Sequence, residues 1–249
     1  MVKLEGAAYG STFMNILAFD TCFDACSACV AREADGKVVQ LASASECFAM
    51  GHAEKLMPFV ENSMNSAGIT FADIDRIAVT IGPGTFTGTR IGIAAARGLA
   101  LAKQIEIVST TSLAVMAEVT VDALGDRRSL GDLAIAVDAR RDQVYMQLFG
   151  TGGLDPKSPP MLLSIFEATR FGGDGPILIA GSGAETIAAA AKQDGREVSA
   201  HFAELLPAAT TLARMATALP VVAGALVPLY LRPPDAKQQD HKSIARAEP

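Results

Sequence analysis

The stretch IGPGTFTGTRIGIAAARGLALA, residues 81–102, decides how the rest of the chain is read. A glycine-punctuated turn runs straight into a small, apolar helix. Helix N-termini present unpaired amides and the positive end of a dipole, so turns of this kind attract anions. A phosphate-cradling P-loop reads G-x4-G-K-[ST]; here Gly84-Thr-Phe-Thr-Gly88-Thr-Arg has neither the spacing nor the lysine. Gly82-Pro83-Gly84 still meets two geometric needs of a cradle, positive φ and close backbone approach. Two readings stay open, a residual nucleotide contact or a tight turn launching a capped helix.

The helix behind the turn is unusual in its own right. Wound at about 3.6 residues per turn, it sorts into three faces. One carries Gly88, Gly92, Ala95, Ala96 and Leu99, and a second carries Ile91, Ala94, Gly98 and Leu101. The third mixes Arg90 and Arg97 with Ile93 and Ala100. A surface helix of a monomer needs one apolar stripe. Two such stripes imply a helix buried deep in its own chain or shared with another, and the small residues of the first would let a second backbone come close.

Working outward, NILAFDTC, ACSACVARE and KVVQLASASE read as three short strands in an antiparallel meander. GHAEKLMPFVENSMNSAG follows with Leu56, Phe59, Val60, Ser63 and Met64 at helical spacing and Gly68 as a stop. Pro58 fits if that helix starts near Ala53 or Glu54, which leaves the missing amide in the first turn. FADIDRIAVTIGPG is a strand with a helical lead-in, and EIVSTT a further strand after the small helix. The order then recurs. SLAVMAEVTVDAL is helical, LAIAVDARRDQVYMQLF is two strands about an Asp-Ala-Arg turn, and GGLDPKSPP is a loop. PILIAGSG is a strand, while AETIAAAAKQ and TTLARMATAL are helices. Two units of this kind predict a duplicated α/β architecture with a ligand cleft between the halves. Gly181 and Gly183, between the PILIA strand and its helix, form a second candidate phosphate turn, although no third glycine completes a dinucleotide fingerprint.

Composition narrows the function classes. The 249 residues are 50% hydrophobic, enough for a substantial core, which must be aliphatic because aromatics make up only 6% and Trp is absent. A formal charge of −6 and no long Lys/Arg block argue against unaided nucleic-acid binding. No apolar run reaches the ~18 residues of a membrane span. MVKLEGAAYGSTF lacks the apolar centre of a signal peptide and reads as a flexible extension before a second methionine, Met14. Cys22, Cys26 and Cys29 stand as C-x3-C-x2-C with Cys47 beyond, but no second ligand pair follows at finger spacing. They are expected to be small buried thiols, and no metal site is expected. His52, His201 and His241 form no i,i+4 pair, and His52 is expected to cap a helix.

ILAFDTCFDACSACV, GHAEKLMPFVE, IGPGTFTGTRIGIAAARGLA, VDARRDQVY and PLYLR occur in this order across residues 14–232. Together they resemble the TsaB (YeaZ) family of tRNA-modification subunits. The resemblance implies an α/β fold of two related actin-like halves (the actin/Hsp70/sugar-kinase, RNase H-like class), each a mixed β-sheet with packed helices. It divides the chain into an extension at 1–13, subdomains at 14–109 and 110–232, and a flexible tail at 233–249. It implies a cytoplasmic, non-catalytic scaffold in making N6-threonylcarbamoyladenosine. The paralogue TsaD performs the transfer, the ATPase TsaE joins the pair, and tRNA is met only through the complex. No cofactor is required, with at most a weak ATP or ADP contact in the complex. Alone, such a chain is expected to form a homodimer.

The residues themselves agree with the non-catalytic part. TsaD-like paralogues carry a His-x3-His metal pair shortly after the matching helix, and Thr111 and Val115 occupy that spacing here. The expected partner interface is Gly88, Ile91, Gly92, Ala95, Ala96 and Leu99 with Leu56, Phe59 and Val60. The expected nucleotide contacts, if any survive, are Asp20, Thr21, Gly82, Gly84, Gly181 and Gly183. Asp138 and Arg140 read as a structural ion pair or turn; Tyr230 and Arg232 match the family pattern without a physical account. The competing reading is an ATP-dependent small-molecule kinase of the same fold, which would need complete phosphate hairpins and a base carboxylate aimed at the acceptor.

Overall fold

The computed structural model describes residues 13–125, 131–150, 155–173, 177–196 and 198–232. The tail expected at 233–249, and all of the expected extension but Phe13, lie outside the described residues.

The first half opens with β1 (Met14–Asp20), β2 (Ala25–Ala34) and β3 (Lys37–Cys47), the expected antiparallel meander. Helix α1 (His52–Ala67) follows, then a single 3-10 turn and β4 (Arg76–Thr80). The small helix is α2 (Phe86–Lys103), and β5 (Glu106–Thr110) completes a five-stranded sheet of order β3-β2-β1-β4-β5. β4 and β5 run parallel to β1, as two strand–helix–strand crossovers require.

Helix α3 (Ser112–Leu124) leads to the second half, where β6 (Asp132–Asp138), β7 (Gln143–Phe149) and β8 (Met161–Ser164) form another meander. A one-turn helix α4 (Ile165–Ala168), then β9 (Ile177–Ala180), α5 (Ala184–Gln193) and β10 (Ser199–His201) follow. The sheet order β8-β7-β6-β9-β10 repeats that of the first half strand for strand. The duplicated α/β architecture expected from the sequence is therefore present. Two strands escaped the sequence reading, β8 and β10, with four residues and three.

Burial explains the layering. Leu17, Phe19, Val30, Ile77 and Val79 face α1 and α2, packing on Leu56, Val60, Ile93 and Ala96. The opposite face of the same sheet, Ile16, Ala18, Cys29, Ala31, Ala78 and Val108, is covered by the last helix, α6 (Ala209–Met215), through Ala209, Leu212 and Ala213. The chain thus returns at its end to the half where it began. Helix α3 is apolar on two sides: Val115 joins the cluster under α6, while Leu113, Met116 and Ala117 pack on Leu133, Ile135 and Val137 of the second sheet.

Two local expectations need correction, and a third, an ion pair or a turn at Asp138 and Arg140, resolves to the turn. α1 starts at His52, so Pro58 lies in its second turn rather than its first. The position is tolerated because Pro58 and Glu54, whose carbonyl loses its amide partner, are both exposed to water. His52 does not cap α1; Gly51 holds the N-cap without a side-chain bond. The buried imidazole instead donates from Nε2 to the Phe23 carbonyl (2.7 Å), tying α1 to the β1–β2 turn. Asp138 and Arg140 form no ion pair with each other; the Asp138 carboxylate accepts from the Arg140 backbone amide (2.8 Å) and shapes a turn.

Candidate functional site: two glycine turns and an exposed helix pair

Each half brings a glycine turn against the end of its first strand. In the first half β1 ends at Asp20, only 1% exposed. Its carboxylate accepts from the Thr80 hydroxyl and from the Cys22 amide (3.2 Å). Burial pushes the Asp20 pKa up to about 6, against the lowering effect of those two hydrogen bonds. Burial likewise drives the Cys22 thiol, 3.2 Å from the Thr80 hydroxyl, far above its ordinary value. Thr21 donates from its hydroxyl to the Gly88 carbonyl (2.7 Å).

The glycine turn presses on this strand end. Gly82 has φ +100, and a Cβ on Gly84 or Gly88 would run into the backbone carbonyl of Cys22 or Thr21. Two amides of the turn are occupied internally: Thr85 N donates to Cys22 O (2.6 Å), and Gly88 N to the Thr85 hydroxyl (3.1 Å) as an N-cap. Of the expected nucleotide residues, Asp20, Thr21 and Gly82 are buried and Gly84 is half-buried. Asp20 therefore ties the β1–β2 turn to the end of β4, with its carboxylate closed to water.

In the second half the two glycines are buried as well, but the strand end beside them is exposed. Gly181 (φ +108) and Gly183 lean on the Ala136 carbonyl, to which Gly183 N donates at 3.0 Å. Asp138, in the position of Asp20, is exposed. Its amide donates to the Ser182 hydroxyl (3.0 Å). Beyond it Arg140, Arg141 and Asp142 all hold positive φ, at 63, 57 and 54 degrees. Side chains other than glycine adopt that region at a cost, so a run of three marks a turn held by its surroundings.

α1 and α2 lie side by side across the first sheet, and their outer surface corrects the expected interface. Gly88, Gly92 and Ala96 face inward: Gly92 packs so closely that a Cβ would stand 2.7 Å from the Thr21 hydroxyl. Leu56 and Val60 are likewise core residues. The small face lets the chain's own β1–β2 turn come close, so these five residues present no side chain to a partner. Phe59, Ile91, Ala95 and Leu99 are half-buried. The outer row consists of Phe86, Ala94, Gly98 and Leu101, the last 84% exposed. Phe86 and Arg90 escaped the sequence reading as surface anchors, and so did their neighbour Tyr230.

Residues 46–179, more than half of the chain, match the family model described as TsaD: tRNA N6-adenosine threonylcarbamoyltransferase. The chain belongs to this family. The TsaB (YeaZ) resemblance within it is also borne out. The tRNA threonylcarbamoyladenosine biosynthesis protein TsaB of Escherichia coli is 37% identical over 132 residues, 53% of either chain, so the match spans about half the length of that relative. An uncharacterized protein of Mycobacterium tuberculosis is 34% identical over 225 residues, 89% of this chain and 93% of its own. The structure of YeaZ from Pseudomonas aeruginosa superposes with a TM-score of 0.71 at 29% identity, covering 88% of this chain and 100% of that one. At the spacing of the TsaD metal pair, Thr111 caps α3 by accepting from Ala114 N (3.0 Å), and Val115 is fully buried beneath α6. Among the described residues no helix is long and apolar enough to cross a membrane.

Proposed function

We propose that this chain is a cytoplasmic, non-catalytic subunit of the assembly that makes N6-threonylcarbamoyladenosine in tRNA. It docks on a TsaD homologue through the outer surface of α1 and α2; a TsaE homologue joins that pair, and tRNA is met only through the complex. The observation that carries the reading is the outer row of α2, where Leu101 stands almost fully in water beside Ala94 and Gly98. Apolar surface left out on a packed helix pair marks an interaction site.

Charge fits a partner of the same fold. α1 exposes Glu54 and Glu61, and α2 exposes Arg90 and Arg97. A two-fold arrangement of two such helix pairs sets acidic against basic helices. The same complementarity supports a homodimer when the partner is absent. Docking requires no cofactor, and any ATP or ADP contact made inside the complex is weak, because Asp20 and the Thr85 and Gly88 amides are already paired within the chain.

Leu101→Glu and Ala94→Arg alter only exposed positions, so both variants keep the wild-type melting temperature. Both are expected to lose capture of the TsaD homologue from the same organism. Normal capture by both would refute docking through this face. Titrating ATP-Mg into the isolated chain by calorimetry tests the kinase alternative, for which tight binding with turnover would be required.

A further inference from the structure

The coil after α6 is tied down at four places. Val221 forms an antiparallel bridge with Val108 at the edge of β5, and Val222 N donates to Ile107 O (2.8 Å). Leu229 N donates to Ile81 O (2.8 Å), and its own carbonyl lies over Gly82, where a Cβ would stand 3.2 Å away. The Tyr230 ring stacks on Phe86 with centroids 5.5 Å apart and planes 25° from parallel. The Tyr230 hydroxyl accepts from Arg90 Nε, and the Arg90 guanidinium lies 3.6 Å over the Phe86 ring. Arg232 then crosses to the other half, donating to Gln143 Oε1 (2.7 Å) and to the Arg140 carbonyl (3.4 Å).

One length of coil therefore touches the edge of the first sheet, the glycine turn, the first turn of α2 and the strained β6–β7 turn. Phe86 opens that first turn and Arg90 starts the second, and from them the outer row of α2 runs on toward Leu101. The stack is no core: Phe86 is 52% and Tyr230 44% exposed. Contacts this open contribute little to global stability, yet they fix where the start of α2 sits relative to the second half.

We infer that Tyr230 and Arg232 are positioning residues, forming a clasp that holds the first turn of α2 in register with the second half so that the docking row is preformed. For its partner arm this rests on the docking reading above. A surface that is competent only while the clasp is closed binds with an apparent affinity scaled by the closed fraction. If opening leaves roughly a tenth of the molecules competent, binding weakens about tenfold.

The test uses the full chain and the TsaD homologue of the same organism. In Tyr230→Ala and Arg232→Ala, amide hydrogen exchange across residues 81–88 rises while that of β6 and α3 is unchanged. The melting temperature stays close to wild type, and partner affinity falls about tenfold in line with the estimate above. Tyr230→Phe keeps the ring stack and recovers most of the affinity; binding as weak as that of Tyr230→Ala would overturn the stack as what closes the clasp. Unchanged exchange at 81–88 in both alanine variants overturns the clasp. Raised exchange with unaltered affinity overturns its positioning role. If Leu101→Glu and Ala94→Arg both leave capture intact, the docking reading fails instead; the exchange measurement involves no partner and tells the two failures apart.

Discussion

The β1–β2 turn and the β6–β7 turn occupy the same place in two sheets of the same strand order, and they have been put to opposite uses. In the first, Asp20 is sealed beneath Thr80 and the glycine turn, the Cys22, Thr85 and Gly88 amides are paired within the chain, and Gly84 and Gly88 are glycines because backbone presses on them. In the second, Asp138 stands in water and shapes a turn of three left-handed residues that carries two arginines. A duplicated frame thus keeps its strand order while the chemistry of its turns diverges. The closed turn contributes to a rigid support for α2, and the open one receives the clasp through Gln143 and the Arg140 carbonyl.

The largest expected effect breaks the closed turn. Gly88→Ala drives a Cβ into the Thr21 carbonyl, backbone that cannot swing aside, and against the Thr85 hydroxyl that caps α2. The loss of stability should lie at or beyond the top of the ~1–3 kcal/mol range for overpacking, measured by urea unfolding. The variant should also lose partner capture, since α2 must shift.

Next comes the pH response of Asp20. Its folded pKa of about 6 lies above the reference value of 3.8, so between those values the native state holds more protons than the unfolded chain. The stability that protonated Asp20 contributes is complete below about pH 4 and is lost as pH rises through about 6. The change is on the order of 1–3 kcal/mol. Asp20→Asn should flatten this slope, and identical slopes in both proteins would place the proton elsewhere.

Smaller effects belong to the open turn. Gly183→Ala meets Val144 Cγ1 at 2.8 Å, a side chain rather than backbone, and should cost roughly 1–2 kcal/mol. Asp138→Ala removes the hydrogen bond that fixes Arg140 N and should cost about 1 kcal/mol, with no change in the pH slope. If Asp138→Ala proved as damaging as Gly88→Ala, the contrast between a sealed and an open turn would collapse.

Much of the fold was legible in the sequence because it rests on local signals. The short apolar runs of β1 and β2, the Gly68 stop of α1 and the glycine entry to α2 each name an element without help from distant residues. β8 was missed because MLLS is only three apolar residues and a serine after a proline-rich loop, and β10 because three residues carry no period. The site was half legible. The row Gly88, Gly92, Ala96 announces a close approach of something, and the sequence cannot say whether that is another chain or the turn at Thr21. The clasp lay beyond sequence reasoning for the same reason: Tyr230 meets Arg90 only because the chain doubles back across the first sheet.

That return has a consequence for synthesis. Ile16, Ala18, Cys29, Ala31, Ala78 and Val108 lie early in the chain, yet the helix that shelters them, α6, begins only at Ala209. While the ribosome is still making the second half, the nascent first sheet shows one bare aliphatic side, the kind of surface that recruits chaperones or aggregates. A message truncated before Ala209 should yield insoluble protein, however well its strands pair.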